Sequence, residues 1–291
     1  MAGRTIKSVV LERQLAWAER QGKNVGPTGY LDKIEDNLFL PMSSTALAHF
    51  SAGSGGELLD AASRPAKIKA LHSSAALAVN VFDYWTRHNA VPLAMAFGFT
   101  GVGEGAIREI GFERQYPTGL AGNPPNLDVT IRFGSGLTVA IESKFTEWMM
   151  PKPTRAEVFR PAYFPATAPL WSGLGLPCCQ HLAESVAAGS VHFRWLDVSQ
   201  LLKHALGLAT ASHGMFSLHY LFFDAPGSES CLHREEINRF TTLVGQETRF
   251  SARSYQELFS EVGTYATTAD KAYLDYLGER YFRTARPAAH G

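Results

Sequence analysis

The chain has 291 residues, of which 27 are basic and 27 acidic, so its formal net charge is zero. Bulk charge is thereby excluded as a source of attraction to nucleic acid or membrane, and any such binding must come from a local patch. The 45% hydrophobic and 19% charged content is that of a globular protein with a sizeable core.

Three cysteines, Cys178, Cys179 and Cys231, are too few and too oddly spaced for a disulfide framework, and fit a reducing compartment. The opening MAGRTIKSVVLERQLAWAER is charged and helix-prone, without the apolar centre of a signal peptide. No stretch approaches the roughly 20 apolar residues of a membrane span. The expectation is a soluble, cytoplasmic protein with no membrane contact.

In chain order, residues 5–22 read as a helix. Residues 23–55 are mixed and end in SAGSGGELLD, which leads into a short helix from about Glu57. HSSAALAVNVFDYWTRH is a helix capped by Ser73 or Ser74, with a broad apolar face. IREIGFERQY is a strand, and NLDVTIRFGSGLTVAIESKFTEW is a hairpin turning at Gly134-Ser135-Gly136. Residues 151–177 form a long loop rich in proline and aromatics. CCQHLAESVAAG and the QLLKHALGLAT region are helices, and MFSLHYLFFDAP is an apolar strand. EEINRFTTLVG, YQELFSEVGTYA and DKAYLDYLGERYF are later helices, and RTARPAAHG is a disordered tail. No linker divides the chain. The expected organisation is an N-terminal helical extension over 1–72, one α/β domain over 73–282 and a tail over 283–291.

A hairpin register symmetric about Ser135 puts Phe133 opposite Leu137, Ile131 opposite Val139 and Val129 opposite Ile141. These share one apolar face with Leu127 and Phe145, while Asp128, Thr130, Arg132, Thr138, Ala140, Glu142 and Lys144 take the other. Asp128 then stands opposite Glu142, with Lys144 beside them. Facing carboxylates repel each other. A divalent cation between them would reverse that, and oxygen donors suit Mg²⁺ or Mn²⁺ better than Zn²⁺. The plainer alternative is a solvated ion-pair cluster on an amphipathic hairpin.

Asp128, with Glu142 fourteen positions on and Lys144 two beyond, resembles the signature of the PD-(D/E)xK nuclease superfamily. The usual proline before the Asp is displaced to Pro124 and Pro125. HSSAALAVNVF, IESKFTEW and the QLLKH run also resemble an uncharacterised bacterial group of restriction-endonuclease-like proteins. The resemblance implies an αβββαβ core, a central mixed sheet flanked by helices, spread over about residues 73–224. It implies that Asp128, Glu142 and the Ser143 carbonyl hold Mg²⁺, for which Mn²⁺ substitutes, and that Lys144 activates water. Exonuclease-type members carry Gln and, four residues on, Tyr in the next helix. Here Gln200 matches the first and His204 stands in the Tyr position, one turn apart on a shared face. On this resemblance Gln200 and His204 stand near the metal or the scissile phosphate, with Gln200 in the catalytic set and His204 and Lys203 contacting nucleic acid; the plainer alternative is the solvated side of an amphipathic helix.

Many members add a Glu from the first core helix, which HSSAALAVNVF lacks. Glu57 and Glu113 are the substitutes considered, each equally readable as a surface carboxylate. The long loop interleaves Lys152, Arg155 and Arg160 with Phe159, Tyr163, Phe164 and Trp171. That mixture suits phosphate pairing and base stacking, or else an aromatic-anchored cover. Adjacent Cys178 and Cys179 lack zinc-ligand spacing, which leaves them a buried structural role. The expected function is Mg²⁺-dependent hydrolysis of DNA, with a homodimer left open. The alternatives are a catalytically silent nucleic-acid- or protein-binding module and a metal-dependent ribonuclease.

Overall fold

The computed structural model describes residues 5–53, 56–61, 64–152, 159–212 and 214–283. Among the described residues four α-helices precede the first strand: α1 (Ile6–Arg20), α2 (Ser44–Ala52), α3 (Ser74–Phe82) and α4 (Val91–Ala96). Three strands follow: β1 (Ile107–Gln115), β2 (Asn126–Phe133) and β3 (Thr138–Lys144). Then come α5 (Pro177–Ala187), α6 (Val198–Ser212), β4 (Phe216–Phe222), α7 (Ser228–Thr248), β5 (Ser251–Ser254), α8 (Tyr255–Tyr265) and α9 (Lys271–Leu277).

The described strands form one sheet in the order β1-β2-β3-β4-β5. The first three are antiparallel neighbours, while β3, β4 and β5 run parallel. Parallel pairs need crossovers, and α6 and α7 fall in them. The result is the expected mixed sheet flanked by helices. The expected helix from Glu57 does not form: Glu57 and Leu58 make a turn. A side chain and a main-chain carbonyl there satisfy backbone N–H groups of a returning loop instead. Asp60 accepts from the Ala66 N–H at 2.7 Å, and the Glu57 carbonyl accepts from Ile68 at 3.2 Å. β5 and α4 were not legible in the sequence. β5 has only four residues, Ser-Ala-Arg-Ser, and exists by pairing with β4.

One face of the sheet carries Leu127, Val129, Ile131, Ile141 and Phe145, all buried. Toward this face lie α3, α8 and the chain end: the Ser143 hydroxyl meets the Tyr255 hydroxyl at 2.6 Å, and the Phe145 and Tyr281 rings are 5.7 Å apart. α2 joins by stacking Phe50 on Phe112, so residues before 73 share the main buried cluster. α6 covers the other face. Gly207 in α6 admits the β1–β2 connection, since a Cβ there would lie 2.6 Å from the Tyr116 carbonyl oxygen.

The described part of the long loop folds onto α6 as a cover. The Trp171 indole donates to the Leu202 carbonyl at 2.8 Å, and Phe159, Tyr163 and Trp171 are all buried among one another. Those three rings therefore have no open face for a stacked base. Cys179 is buried as expected, but Cys178 is exposed. The expected tail lies outside the described residues from 284 onward.

Candidate active site

The β2–β3 register is Val129 to Ile141, Thr130 to Ala140, Ile131 to Val139 and Arg132 to Thr138. Gly136 at the turn has φ +86°, a value that favours glycine. Asp128 and Glu142 are the next pair in that register. They meet where the ladder gives way to side-chain bonding: the Ser143 N–H donates to Asp128 Oδ2 at 2.6 Å.

The charged face of the hairpin is not solvated. α6 lies across it, and Glu142 is 1% exposed. Both of its oxygens are engaged. Lys144 Nζ donates to Oε1, and the His204 ring nitrogen Nε2 donates to Oε2 at 2.8 Å. Lys144 Nζ also donates to Gln200 Oε1 at 3.3 Å. Gln200 and His204, one helical turn apart, thus meet the Glu142–Lys144 pair at two points.

The charges divide unevenly over this cluster. Burial, then the charge of Glu142, pushes the Asp128 carboxyl well above the usual range, with Lys144 opposing. Burial would also raise Glu142, but the Lys144 ammonium and the His204 bond outweigh it and hold Glu142 low. Burial likewise works against the Lys144 ammonium, and the charges of Glu142 and Asp128 overcome it and push Lys144 well above its ordinary value. Lys144 is therefore a fixed cation at neutral pH.

Glu113 joins this cluster from β1. It lies in line with Asp128, between the pairs Phe112–Val129 and Arg114–Leu127. Its φ of +48° breaks the strand's alternation, a strained conformation for a non-glycine residue. Asn126, on the Asp128 face two residues earlier, donates to Glu113 Oε2 at 2.7 Å. Burial pushes Glu113 up to about 7, the charges of Glu57 and Glu142 add to this, and the Asn126 bond opposes it. Glu57 stands further out, paired with Lys67 at 2.7 Å.

A family model describing the restriction endonuclease associating with ARP matches residues 17–282. The chain belongs to that family. No curated protein and no solved structure matches it. A restriction-endonuclease-like family indicates nuclease activity, and the mixed sheet with flanking helices is consistent with a restriction-endonuclease-like fold. No described helix is long and apolar enough to cross a membrane.

In this restriction-endonuclease-like chain the expected residues fall into two groups. Asp128, Glu142, Ser143, Lys144, Gln200, His204 and Glu113 converge. Lys152, Arg160 and Lys203 lie away from that convergence. Lys152 pairs with Asp197 ahead of α6, and Arg160 donates to the Ala121 carbonyl at 3.1 Å. Lys203 sits 5.0 Å from the Phe159 ring and 5.6 Å from that of Tyr163. Arg155 lies outside the described residues. His204, expected against nucleic acid, is 2% exposed and faces Glu142. Sequence reading missed Asn126, whose only signal was its place two residues before Asp128.

Glu113 gives a testable sign. Its folded value of about 7 exceeds the ordinary carboxylate value of 4.5, so the folded state holds a proton that the unfolded chain releases. Metal-free protein should lose stability on this account as pH rises from about 4.5 to 7, by on the order of 3 kcal/mol at most. Glu113→Gln should melt higher than wild type at pH 8 in EDTA, with the difference vanishing near pH 4. Equal melting temperatures at both pH values would refute the burial of this carboxyl.

Proposed function

We propose that this chain is a divalent-metal-dependent phosphodiesterase that cuts DNA. The observation that carries the reading is the half-buried Asp128 facing the buried Glu142, with the Lys144 ammonium bonded to Glu142. Among the described residues, no three His, Cys, Asp or Glu side chains are already arranged to hold a metal ion. The donor chemistry nonetheless fits one. Asp128, Glu142 and Glu113 are hard oxygen donors, and the charge of Glu142 raises the hold of the other two on protons, a repulsion that a cation relieves.

Asp128, Glu142 and the Ser143 carbonyl would hold Mg²⁺, with Mn²⁺ as a substitute. Glu113 is the better third carboxylate, because Glu57 is already paired with Lys67. When bound, the cation supplies a water of lowered pKa and offsets charge building on the phosphate. Lys144, bonded to Glu142, would orient the attacking water and stabilise the developing negative charge. Gln200 holds the Lys144 ammonium in place through its side-chain oxygen. On this reading Lys152, Arg155, Arg160 and Lys203 would contact the phosphate backbone of the nucleic acid. The protein would act in the cytoplasm, as a monomer or homodimer. Association with ARP, named in the family's description, is proposed for this chain as well.

The test is cleavage of plasmid, linear and single-stranded DNA and of RNA, each with Mg²⁺, Mn²⁺ or EDTA. Metal-dependent cutting of DNA is expected, with none in EDTA. Cutting that survives EDTA would end the proposal, and cutting confined to RNA would replace DNA with RNA as substrate. Mn²⁺ calorimetry separates the silent-module reading, which requires no carboxylate-dependent metal binding.

A further inference from the structure

We infer that His204 is a positioning residue, which orients the Glu142 carboxylate and does not touch nucleic acid. The inference rests on the nuclease reading of the site and assigns a role within it. The His204 side chain is 1% exposed, as is that of Glu142, and Nε2 lies 2.8 Å from Oε2. A ring so enclosed cannot reach a backbone phosphate. Its ring N–H has a carboxylate to bond, and that carboxylate's other oxygen belongs to Lys144.

The arrangement removes the rotational freedom that a buried glutamate would otherwise have. With one oxygen on His204 and the other on Lys144, the Glu142 plane is set by two elements, α6 and β3. Gln200 ties Lys144 back to the same helix at 3.3 Å. α6 therefore works as a template. One turn of helix spaces two side chains so that one reaches the ammonium and the next reaches the carboxylate. Partners that stand behind a metal-ligating carboxylate hold its orientation, and losing one typically costs 10–100-fold in affinity or activity. A residue touching substrate phosphate would instead alter substrate binding and its salt dependence.

The experiment compares wild type, His204→Leu and His204→Gln in three measurements: thermal melting in EDTA, Mn²⁺ affinity by calorimetry, and kcat and KM for DNA. His204→Leu is expected to weaken Mn²⁺ binding and lower kcat by roughly 10- to 100-fold, with KM for DNA unchanged. His204→Gln keeps an N–H donor in about the same place and should recover much of both. A raised KM with unchanged kcat and Mn²⁺ affinity would overturn the role and make His204 a substrate contact. Wild-type Mn²⁺ affinity and kcat in His204→Leu would also overturn it. So would equal losses in both variants that track their melting temperatures, because the ring would then be packing alone. A wild-type protein that neither binds Mn²⁺ nor cuts DNA would overturn the nuclease reading itself, an outcome distinct from these.

Discussion

Asp128→Asn is expected to abolish DNA cleavage, by roughly a thousandfold or more, while making the metal-free protein harder to unfold at neutral pH. The two effects have one cause. Asp128 is half-buried beside the buried Glu142, and its carboxyl is held well above the ordinary value. The sign follows from linkage: between the unfolded value, near 3.9, and the raised folded value, the native state binds more protons than the unfolded chain. Stability attributable to Asp128 is therefore lost as pH rises through that window. Asparagine carries no charge across the window and can still accept the Ser143 N–H. Melting curves in EDTA from pH 4 to 8 should be flatter for the variant than for wild type, and the variant should lead at pH 8. Added Mg²⁺ should raise the wild-type melting temperature and leave the variant's almost unmoved. Retained cleavage, or a variant less stable than wild type at pH 8, would contradict the account.

Lys144→Met is expected to be inactive and strongly destabilised, by about 3–5 kcal/mol. Methionine fills much of the lysine's volume, so the loss is not chiefly one of packing. The Lys144 side chain is 15% exposed and that of Glu142 is 1% exposed, so removing the ammonium strands a charge in a water-poor place. His204 alone remains to satisfy it. Lys144 titrates above its ordinary value, so the pair's contribution is complete below the unfolded lysine value and is lost only as pH rises through the higher folded one. The destabilisation should therefore be level across neutral pH, unlike that of Asp128 or Glu113. Glu142→Gln in the same chain removes the stranded charge. The double variant should recover most of the stability and none of the activity. Failure of the second change to restore stability would show that Lys144 matters for packing or for another partner.

The hairpin was legible because its alternation has a period of two and its turn contains two glycines. Val129, Ile131, Val139 and Ile141 can share a core face only in one register, and that register brings Asp128 toward Glu142. The order of elements along the chain was legible from the same kind of patterning, and the restriction-endonuclease-like family from the resemblance of Asp128, Glu142-x-Lys144 and the QLLKH run to its motifs. The helix face of Gln200 and His204 followed from spacing alone. That His204 turns inward while Lys203 meets the Phe159 and Tyr163 rings did not, because the rotation of α6 is set by packing against the sheet and the loop cover.

Sequence alone determined the α/β class, the hairpin register and the residues at which charge would collect, since all three depend on periodicity and short-range spacing. Tertiary structure decided whether the charged face met water. α6 covers that face, so Glu142 and Lys144 hold each other in a water-poor site, and their opposite charges, against the pull of burial, are what shift their affinities for protons. It also brought Glu113 to that cluster. Glu113 reaches the cluster only through a left-handed residue in β1 and a bond from Asn126, contacts made across two strands. Such contacts depend on which distant segments lie side by side, and no local pattern of side chains encodes them.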